Sequence, residues 1–388
     1  MSIRSEPGTF NRFVRAGQTS TTDAITELTQ ASLVRIDRAT DQLEPWLAES
    51  WTTSADGRVF TLKLRPGVTF SDGVPFTSAD VLFSFRVLYD PAVNSVLAAG
   101  IAVQGKPLAV SAPDPSTVVI TLPAPFAPGL RLLDGLPMLP RHQLQAALDA
   151  HTFADAWNLR TPPGSMAGLG PFVITGYVPG QQVTLSRNPH YWRRAPSGAP
   201  LPYLDTIVMD VVSSQDAEML RLEAGTIDVM SQADLRPEDL AAVRRLQAQG
   251  ALTLVDVGVG VDPNLLWFNL TAARAAKHDR PYLQRAEFRQ AISCAVDRDA
   301  IARSVYLGAA VPIYGYVTPG NRTWYSTSAP TYPHDLDRAR RLLASIGLED
   351  RNHDGTLEDA QGRPVRFSII TQRANTREKI ATVVQEQL

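Results

Sequence analysis

One stretch of the sequence comes close to a phosphate-binding loop. Gly100 is followed at the right distance by Gly105 and Lys106, but the next residue is Pro107. A phosphate-binding loop has Ser or Thr at that position, because its hydroxyl reaches the magnesium ion. Proline offers neither this hydroxyl nor a backbone N–H. The segment also follows no clear buried strand, so we expect a surface loop here and not a nucleotide site.

A second stretch resembles the first part of a calcium-binding loop. Asp350, Asn352 and Asp354 place side-chain oxygens at positions 1, 3 and 5, and Gly355 lies at position 6. Position 12 of such a loop is a Glu that binds calcium through both oxygens, whereas here it is Gln361. The sequence therefore favours a polar turn whose Asn and Asp side chains bond their own backbone. A weak calcium site is the alternative.

No other pattern in the sequence is typical of an active site. The six histidines show no HExxH or other metal-ligand spacing, and Gly164-Ser165-Met-Ala-Gly168 lacks the residue that precedes the serine in a nucleophile elbow. The single cysteine, Cys294, lies on the apolar side of a predicted helix, where a buried structural thiol is expected. We therefore predict that the protein is not an enzyme and that it needs no metal or cofactor.

The composition is that of a globular protein of about two or three domains, given its 388 residues. Hydrophobic residues make up 44% and charged residues 20%, which excludes a disordered chain, collagen or a coiled coil. Lys plus Arg is 37 against 39 for Asp plus Glu, so no basic excess exists to neutralise a nucleic acid. No apolar run approaches the ~18 to 20 residues that span a bilayer.

The spacing of apolar residues predicts a mixture of strands and helices. In residues 59–65, every second side chain is apolar, as in a half-buried strand. Thr77 and Asp80 predict a capping box for a helix that Pro91 closes. Further predicted strands are TVVITL, PFVITGYV, QVTLSR, TIVMDVV, LTLVDV, LLWFNL and VRFSIIT, and further predicted helices are 215–224, 237–248, 283–296, 299–307 and 335–346. The last residues start a helix without a stop signal, from which we expect a truncated C-terminus.

Six longer segments match one known family in its own order. The most specific is LEPWLAESWTTSADGRVFTLKLRPGVTFSDGVPFTSADVLFSF, and the others are MLPRHQL, GLGPFVITGYVPGQQVTLSRNPHYW, LLWFNL, FRQAISCAVDRDAIARSVYLGAAVP and YPHDLDRARRLLASIG. The chain resembles the family 5 extracytoplasmic solute-binding proteins, the peptide- and nickel-binding components of ABC importers. Within these segments, Gly73 suits a turn, and Gly168 and Gly170 let the backbone bend. We therefore expect the most recognisable segments to build the fold and not to bind ligand.

The resemblance implies an α/β (mixed α+β) fold of the two-lobed, class II-like periplasmic binding-protein type. Residues 1–44 and 166–258 would form the first lobe, 45–165 an extra domain inserted into it, and 259–388 an incomplete second lobe. Ligand would be enclosed between the lobes by hinge closure. Members of the family are usually longer, and the acidic residue that holds the amino end of a peptide would lie beyond Leu388.

Eight residues are predicted to bind the ligand. An enclosed peptide needs partners for its backbone polar groups, and a free carboxylate is best held by Arg. The resemblance maps the carboxylate-binding arginine of dipeptide-binding members to Arg373. Thr19, Ser20 and Thr21 lie in a hydroxyl-rich loop, for which the alternative role is to cap a helix. Trp267 and Asn269 lie in the interdomain segment, where a core tryptophan is the alternative. Tyr314 and Tyr316 lie in a Gly/Pro loop, for which the alternative is a surface loop.

The resemblance also implies a function. The protein would be the receptor of an ABC importer that binds an oligopeptide or peptide-like solute and delivers it to permease subunits in the membrane. A nickel complex or an oligosaccharide is the alternative solute. The alternative to a working receptor is a truncated, non-functional fragment. We expect a monomer that binds no nucleic acid, located in the periplasm or anchored outside the membrane, with its signal segment absent from this chain.

Overall fold

The computed structural model describes residues 1–230, 235–271, 280–371 and 375–388. The chain forms two compact units, Met1–Ala233 and Asp234–Leu388, which we call unit 1 and unit 2. The strands of unit 1 are β1 (Ser2–Ile3), β2 (Val34–Ile36), β3 (Leu43–Pro45), β4 (Ala48–Thr53), β5 (Val59–Leu64), β6 (Ala102–Val103), β7 (Lys106–Pro107), β8 (Ala109–Asp114), β9 (Thr117–Thr121), β10 (Phe172–Val178), β11 (Gln182–Arg187) and β12 (Thr206–Val211). Its α-helices are α1 (Ser20–Thr29), α2 (Ser78–Tyr89), α3 (Arg141–Asp149) and α4 (Gln215–Glu223).

Two four-stranded sheets organise unit 1. In the first, the strand order is β1-β12-β11-β10, with β1 parallel to β12 and the other pairs antiparallel. In the second, the order is β4-β5-β9-β8, and all neighbours are antiparallel. One continuous apolar core contains side chains from both sheets, including the fully buried Leu62, Ile120 and Leu185. The division of the chain into three segments stays a prediction.

The local predictions for β5 and α2 are confirmed. Phe60, Leu62 and Leu64 are buried on one face of β5, as the alternation predicts. At the start of α2, the Asp80 carboxylate accepts a hydrogen bond of 2.9 Å from the backbone N–H of Thr77. The second oxygen of the same buried carboxylate accepts from the backbone N–H of Arg141, at 3.1 Å. The cap therefore also fixes the start of α3.

Among the residues that the structure describes, the named secondary-structure elements of unit 2 are all helices, joined by long irregular segments. Its α-helices are α5 (Leu240–Ala248), α6 (Ala286–Ala295), α7 (Arg298–Ser304), α8 (Leu336–Ala344) and α9 (Asn375–Gln387). Phe288, Ile292 and Leu348 form the centre of one apolar cluster. Cys294 is completely buried against Ala291 and Ala339, which confirms the expectation of a structural thiol. Within the described ranges, no helix is both long and apolar enough to cross a membrane.

Three strands that the sequence predicts in unit 2 are absent from the described residues of the structure. Residues 252–257, 265–270 and 365–371 are irregular, and the described part of the chain offers them no hydrogen-bonded partner strand. Strand periodicity reports which faces are apolar, but a strand forms only when a second strand satisfies its backbone groups. As a result, Val257 and Ile370 leave 84% and 95% of their surface exposed.

Two glycines before β10 serve a different purpose from the one predicted. Gly168 and Gly170 do not have positive φ angles, so the bend itself does not require glycine. A Cβ atom on Gly170 would lie 2.5 Å from the carbonyl carbon of Thr29 at the end of α1. The same backbone approach gives the hydrogen bond of 3.0 Å from the Gly170 N–H to the Thr29 carbonyl. Glycine is needed because two backbones touch.

We predict that Gly170→Ala lowers the free energy of unfolding by about 1 to 3 kcal/mol, since the added methyl group must displace backbone and not a flexible side chain. Urea denaturation followed by circular dichroism measures this loss. Gly100→Ala is the matched control, because its Cβ would meet only the Leu97 carbonyl oxygen at an ordinary 3.6 Å. Equal urea midpoints for the two variants would contradict the steric explanation.

Candidate functional site

The hydroxyl-rich loop before α1 forms the start of that helix. Thr19 is the N-cap, and its hydroxyl oxygen accepts a hydrogen bond of 3.1 Å from the backbone N–H of Thr22. Thr21 is buried and donates to the Ser5 carbonyl at 2.9 Å. Ser20 is exposed. The Thr19 and Thr21 hydroxyls are thus engaged in local structure, and all three assignments stay predictions.

The structure brings two of the predicted aromatic residues of unit 2 together. The ring centroids of Trp267 and Tyr316 lie 5.8 Å apart at an interplanar angle of 61°. Trp267 is 73% exposed and Tyr316 67% exposed, so neither is a core residue. Asn269, two residues after the tryptophan, accepts a hydrogen bond from the Thr271 N–H. An exposed aromatic pair of this kind can stack on the planar groups of a peptide or on a sugar ring.

Tyr314 contacts an arginine that the sequence analysis did not single out. The Arg298 guanidinium carbon lies 4.8 Å from the centroid of the Tyr314 ring. The guanidinium also donates to the Ser293 carbonyl and hydroxyl at 2.9 and 2.8 Å. Burial lowers the pKa of the Arg298 guanidinium below its usual value. Among the described residues it forms no ion pair, so it is a second candidate partner for an anionic group of a solute.

The position of Arg373, the predicted carboxylate-binding arginine, lies outside the described residues. The predicted strand before it, 365–371, is described and is irregular. The role of Arg373 therefore stays a prediction that rests on the family resemblance.

The polar loop at 350–358 has the hydrogen bonds expected of a turn. The Asp350 carboxylate accepts from the Asp354 and Gly355 N–H groups at 3.2 and 3.0 Å, and Asn352 accepts from Asp354 at 2.9 Å. The backbone N–H of Thr356 lowers the pKa of the Asp354 carboxyl.

The same loop also gathers three carboxylates. One oxygen each of Asp350, Asp354 and Glu358 lies within 4.8 Å of the others. Glu358 occupies position 9 of the loop, which the partial calcium motif in the sequence does not include. Its side chain is buried and accepts a hydrogen bond from the Arg351 N–H at 2.9 Å. These three residues are the ones that could hold a cation in this part of the chain.

The comparison with protein families decides what kind of protein this is. Residues 42–388 match the model described as bacterial extracellular solute-binding proteins, family 5 (middle). The chain belongs to this family. The family and fold are those of solute-binding proteins, and the resemblance to this family seen in the sequence is confirmed.

Individual family 5 proteins support the assignment. The chain is 29% identical over 371 residues to the probable ABC transporter-binding protein of Deinococcus radiodurans, a match that covers 93% of this chain and 62% of the relative. It also matches the crystal structure of the oligopeptide-binding protein AppA from Bacillus subtilis with a nonapeptide, at a TM-score of 0.72 and 25% identity. That match covers all of this chain and 71% of AppA.

A second solved structure has the same fold. NikZ from Campylobacter jejuni, in complex with Ni(L-His), matches at a TM-score of 0.74 and 24% identity, over all of this chain and 70% of NikZ. These matches confirm the predicted mixed α/β fold of the periplasmic binding-protein type. The chain spans 62% of the length of its Deinococcus relative, which is less than two thirds.

We predict that the loop at 350–358 binds calcium no more tightly than about 1 mM, because Gln361 cannot supply the two charged oxygens of position 12. The measurement is the melting temperature of the protein with increasing calcium, with Asp354→Ala beside the wild type. Asp262→Ala removes an exposed carboxylate elsewhere in unit 2 and is the control. A rise in Tm at micromolar calcium that Asp354→Ala alone abolishes would contradict the prediction.

Proposed function

We propose that this family 5 chain is part of the solute-binding receptor of an ABC importer, which reversibly binds an oligopeptide or peptide-like solute and delivers it to membrane permease subunits. The observation that carries the proposal is the family match over residues 42–388. The name of the Deinococcus relative and the nonapeptide bound to AppA agree with it. The family description, extracellular, supports a location in the periplasm or at the outer face of the membrane.

We further propose that the protein catalyses no reaction and works as a monomer without a cofactor. The support is that the family and fold are those of binding proteins. In such a receptor the chemistry consists of recognition, so the relevant groups are those that pair with the solute and release it unchanged.

Recognition of a peptide with a free carboxylate requires a cationic partner and planar contacts. Arg373 is our candidate for the free carboxylate, since a guanidinium can pair with both carboxylate oxygens. The Trp267–Tyr316 pair offers exposed ring surface for peptide planes or apolar side chains. Arg298, with Tyr314 against its guanidinium, supplies a further positive charge in unit 2.

A second candidate solute is an oligosaccharide. The observation that favours it is the same exposed pair, because sugar-binding sites use aromatic platforms against the apolar faces of the rings. A nickel complex is the third candidate, in view of the Ni(L-His) bound to NikZ. The second experiment below separates these solutes.

The first experiment tests the carboxylate partner. We expect Arg373→Ala to weaken the binding of peptides with a free C-terminus by about 10- to 150-fold, because a charge-assisted contact of about 1.5 to 3 kcal/mol is lost. Calorimetric titration of a peptide library into the native gene product measures this. Arg340→Ala, which removes an exposed arginine from α8, is the control and should leave the affinity unchanged. Unchanged affinity in Arg373→Ala would remove this residue from the site.

The second experiment tests the aromatic pair and the solute class. We expect Trp267→Ala to weaken solute binding by at least about tenfold, since a tryptophan that packs on a ligand contributes more than about 1.4 kcal/mol. Trp324→Ala removes another partly exposed tryptophan of unit 2 and should have little effect. The titrations use peptides, oligosaccharides and nickel–histidine in parallel. Tight sugar or nickel–histidine binding without peptide binding would contradict the proposed peptide class.

A further inference from the structure

A second group of residues, in unit 1, has the chemistry of a binding surface. Three arginines gather around two tryptophans and a tyrosine, and we call this group the arginine–tryptophan cluster: Arg35, Trp46, Arg65, Tyr191, Trp192 and Arg193. The tryptophans lie in two of the segments that identify the family, LEPWLAESW and NPHYW. The proposed solute site uses none of these residues.

The geometry of the cluster is well defined. The guanidinium carbons of Arg35 and Arg193 lie 4.9 and 4.3 Å from the centroid of the Trp46 ring. Arg65 lies 4.8 Å from the Trp192 ring, and its Nε donates to the Trp46 carbonyl at 3.1 Å. The two indoles contact each other edge to face, with centroids 5.4 Å apart. Each arginine therefore has an aromatic contact that limits the freedom of its side chain.

The three positive charges lack ion-pair partners within the described part of the chain. None of Arg35, Arg65 and Arg193 forms an ion pair with a carboxylate there, whereas Arg38 nearby pairs with Asp134 at 2.7 Å. Glu44 lies opposite Arg35 in the β2–β3 pairing but forms no ion pair with it. Like charges repel one another, so a cluster of this kind favours an anion that joins it.

One more donor at the cluster has no partner. The indole Nε1 of Trp192 is buried and forms no hydrogen bond with any described group. A buried N–H without an acceptor is destabilising, so an acceptor that reached it would stabilise the cluster.

We propose that the arginine–tryptophan cluster binds an acidic segment of a protein partner. Arg35 is exposed and the other two arginines and both indoles are partly exposed, so the surface is open to a macromolecule. A guanidinium stacked on an indole keeps its N–H edge for a carboxylate, and Arg and Trp are the residue types that dominate binding energy at protein interfaces. A small anion on such an open surface would lack the contact with the indoles. The proposal does not rest on the solute that the protein binds.

The test measures the binding of a short labelled peptide of Asp, Glu and Leu by fluorescence anisotropy. The matched probe replaces its Asp and Glu by Asn and Gln, and inorganic sulfate serves as a competing small anion. We expect the acidic peptide to bind saturably and the neutral peptide not to bind. We also expect the double variant Arg35→Gln/Arg193→Gln to weaken the binding of the acidic peptide at least tenfold.

The control variant removes two positive charges from neighbouring positions outside the cluster. Arg38→Gln/Arg194→Gln leaves both indoles and their arginines in place, and we expect it to change the affinity less than threefold. Arg35→Lys/Arg193→Lys keeps the charge but loses the planar fork, so it should also weaken binding while the fold is retained. No saturable binding by the wild type, equal losses in the two glutamine double variants, or sulfate binding as tight as that of the peptide would each overturn the proposal.

Discussion

Unit 1 depends on a close approach of backbones at Gly168 and Gly170. The Gly170 N–H donates to the Thr29 carbonyl at the end of α1, and the Gly170 carbonyl accepts from the Asn188 side chain at 2.8 Å. The Gly168 carbonyl accepts from the Ser71 N–H at 2.9 Å. One short segment therefore joins a helix end, a turn and the start of β10. Any side chain there would force these backbones apart, because the added Cβ would meet the backbone of Thr29.

The sequence predicts those parts of the fold that local interactions determine. The burial of β5 and the cap of α2 follow from side chains a few residues apart, and both are confirmed. The unit 2 strands were predicted wrongly because their pairing depends on partners that periodicity cannot reveal. For Gly168 and Gly170, the sequence indicates glycine but not its reason, since contact with Thr29 joins residues that are far apart along the chain.

The candidate site was predictable only in part for a similar reason. The sequence indicates Trp267 and Tyr316 separately, and only the structure shows that their rings meet and are exposed. Thr19 was proposed for the ligand, yet its hydroxyl caps α1, which is the commonest use of threonine at a helix start. The sequence does not single out Arg298 as a site residue, because the sequence of a helical segment does not show which side chains its arginine contacts. Its contact with Tyr314 appears only in three dimensions.

We propose above all that this chain belongs to a receptor whose solute is a peptide and that it recognises this solute without changing it. The most direct measurement is mass spectrometry of the solute that the native gene product retains through purification from its own cells and releases on denaturation. We predict peptides with free carboxyl termini, in an amount comparable to the protein, and unchanged after incubation with it. A sugar or a metal complex in that amount, or peptides that the protein cleaves, would contradict the claim.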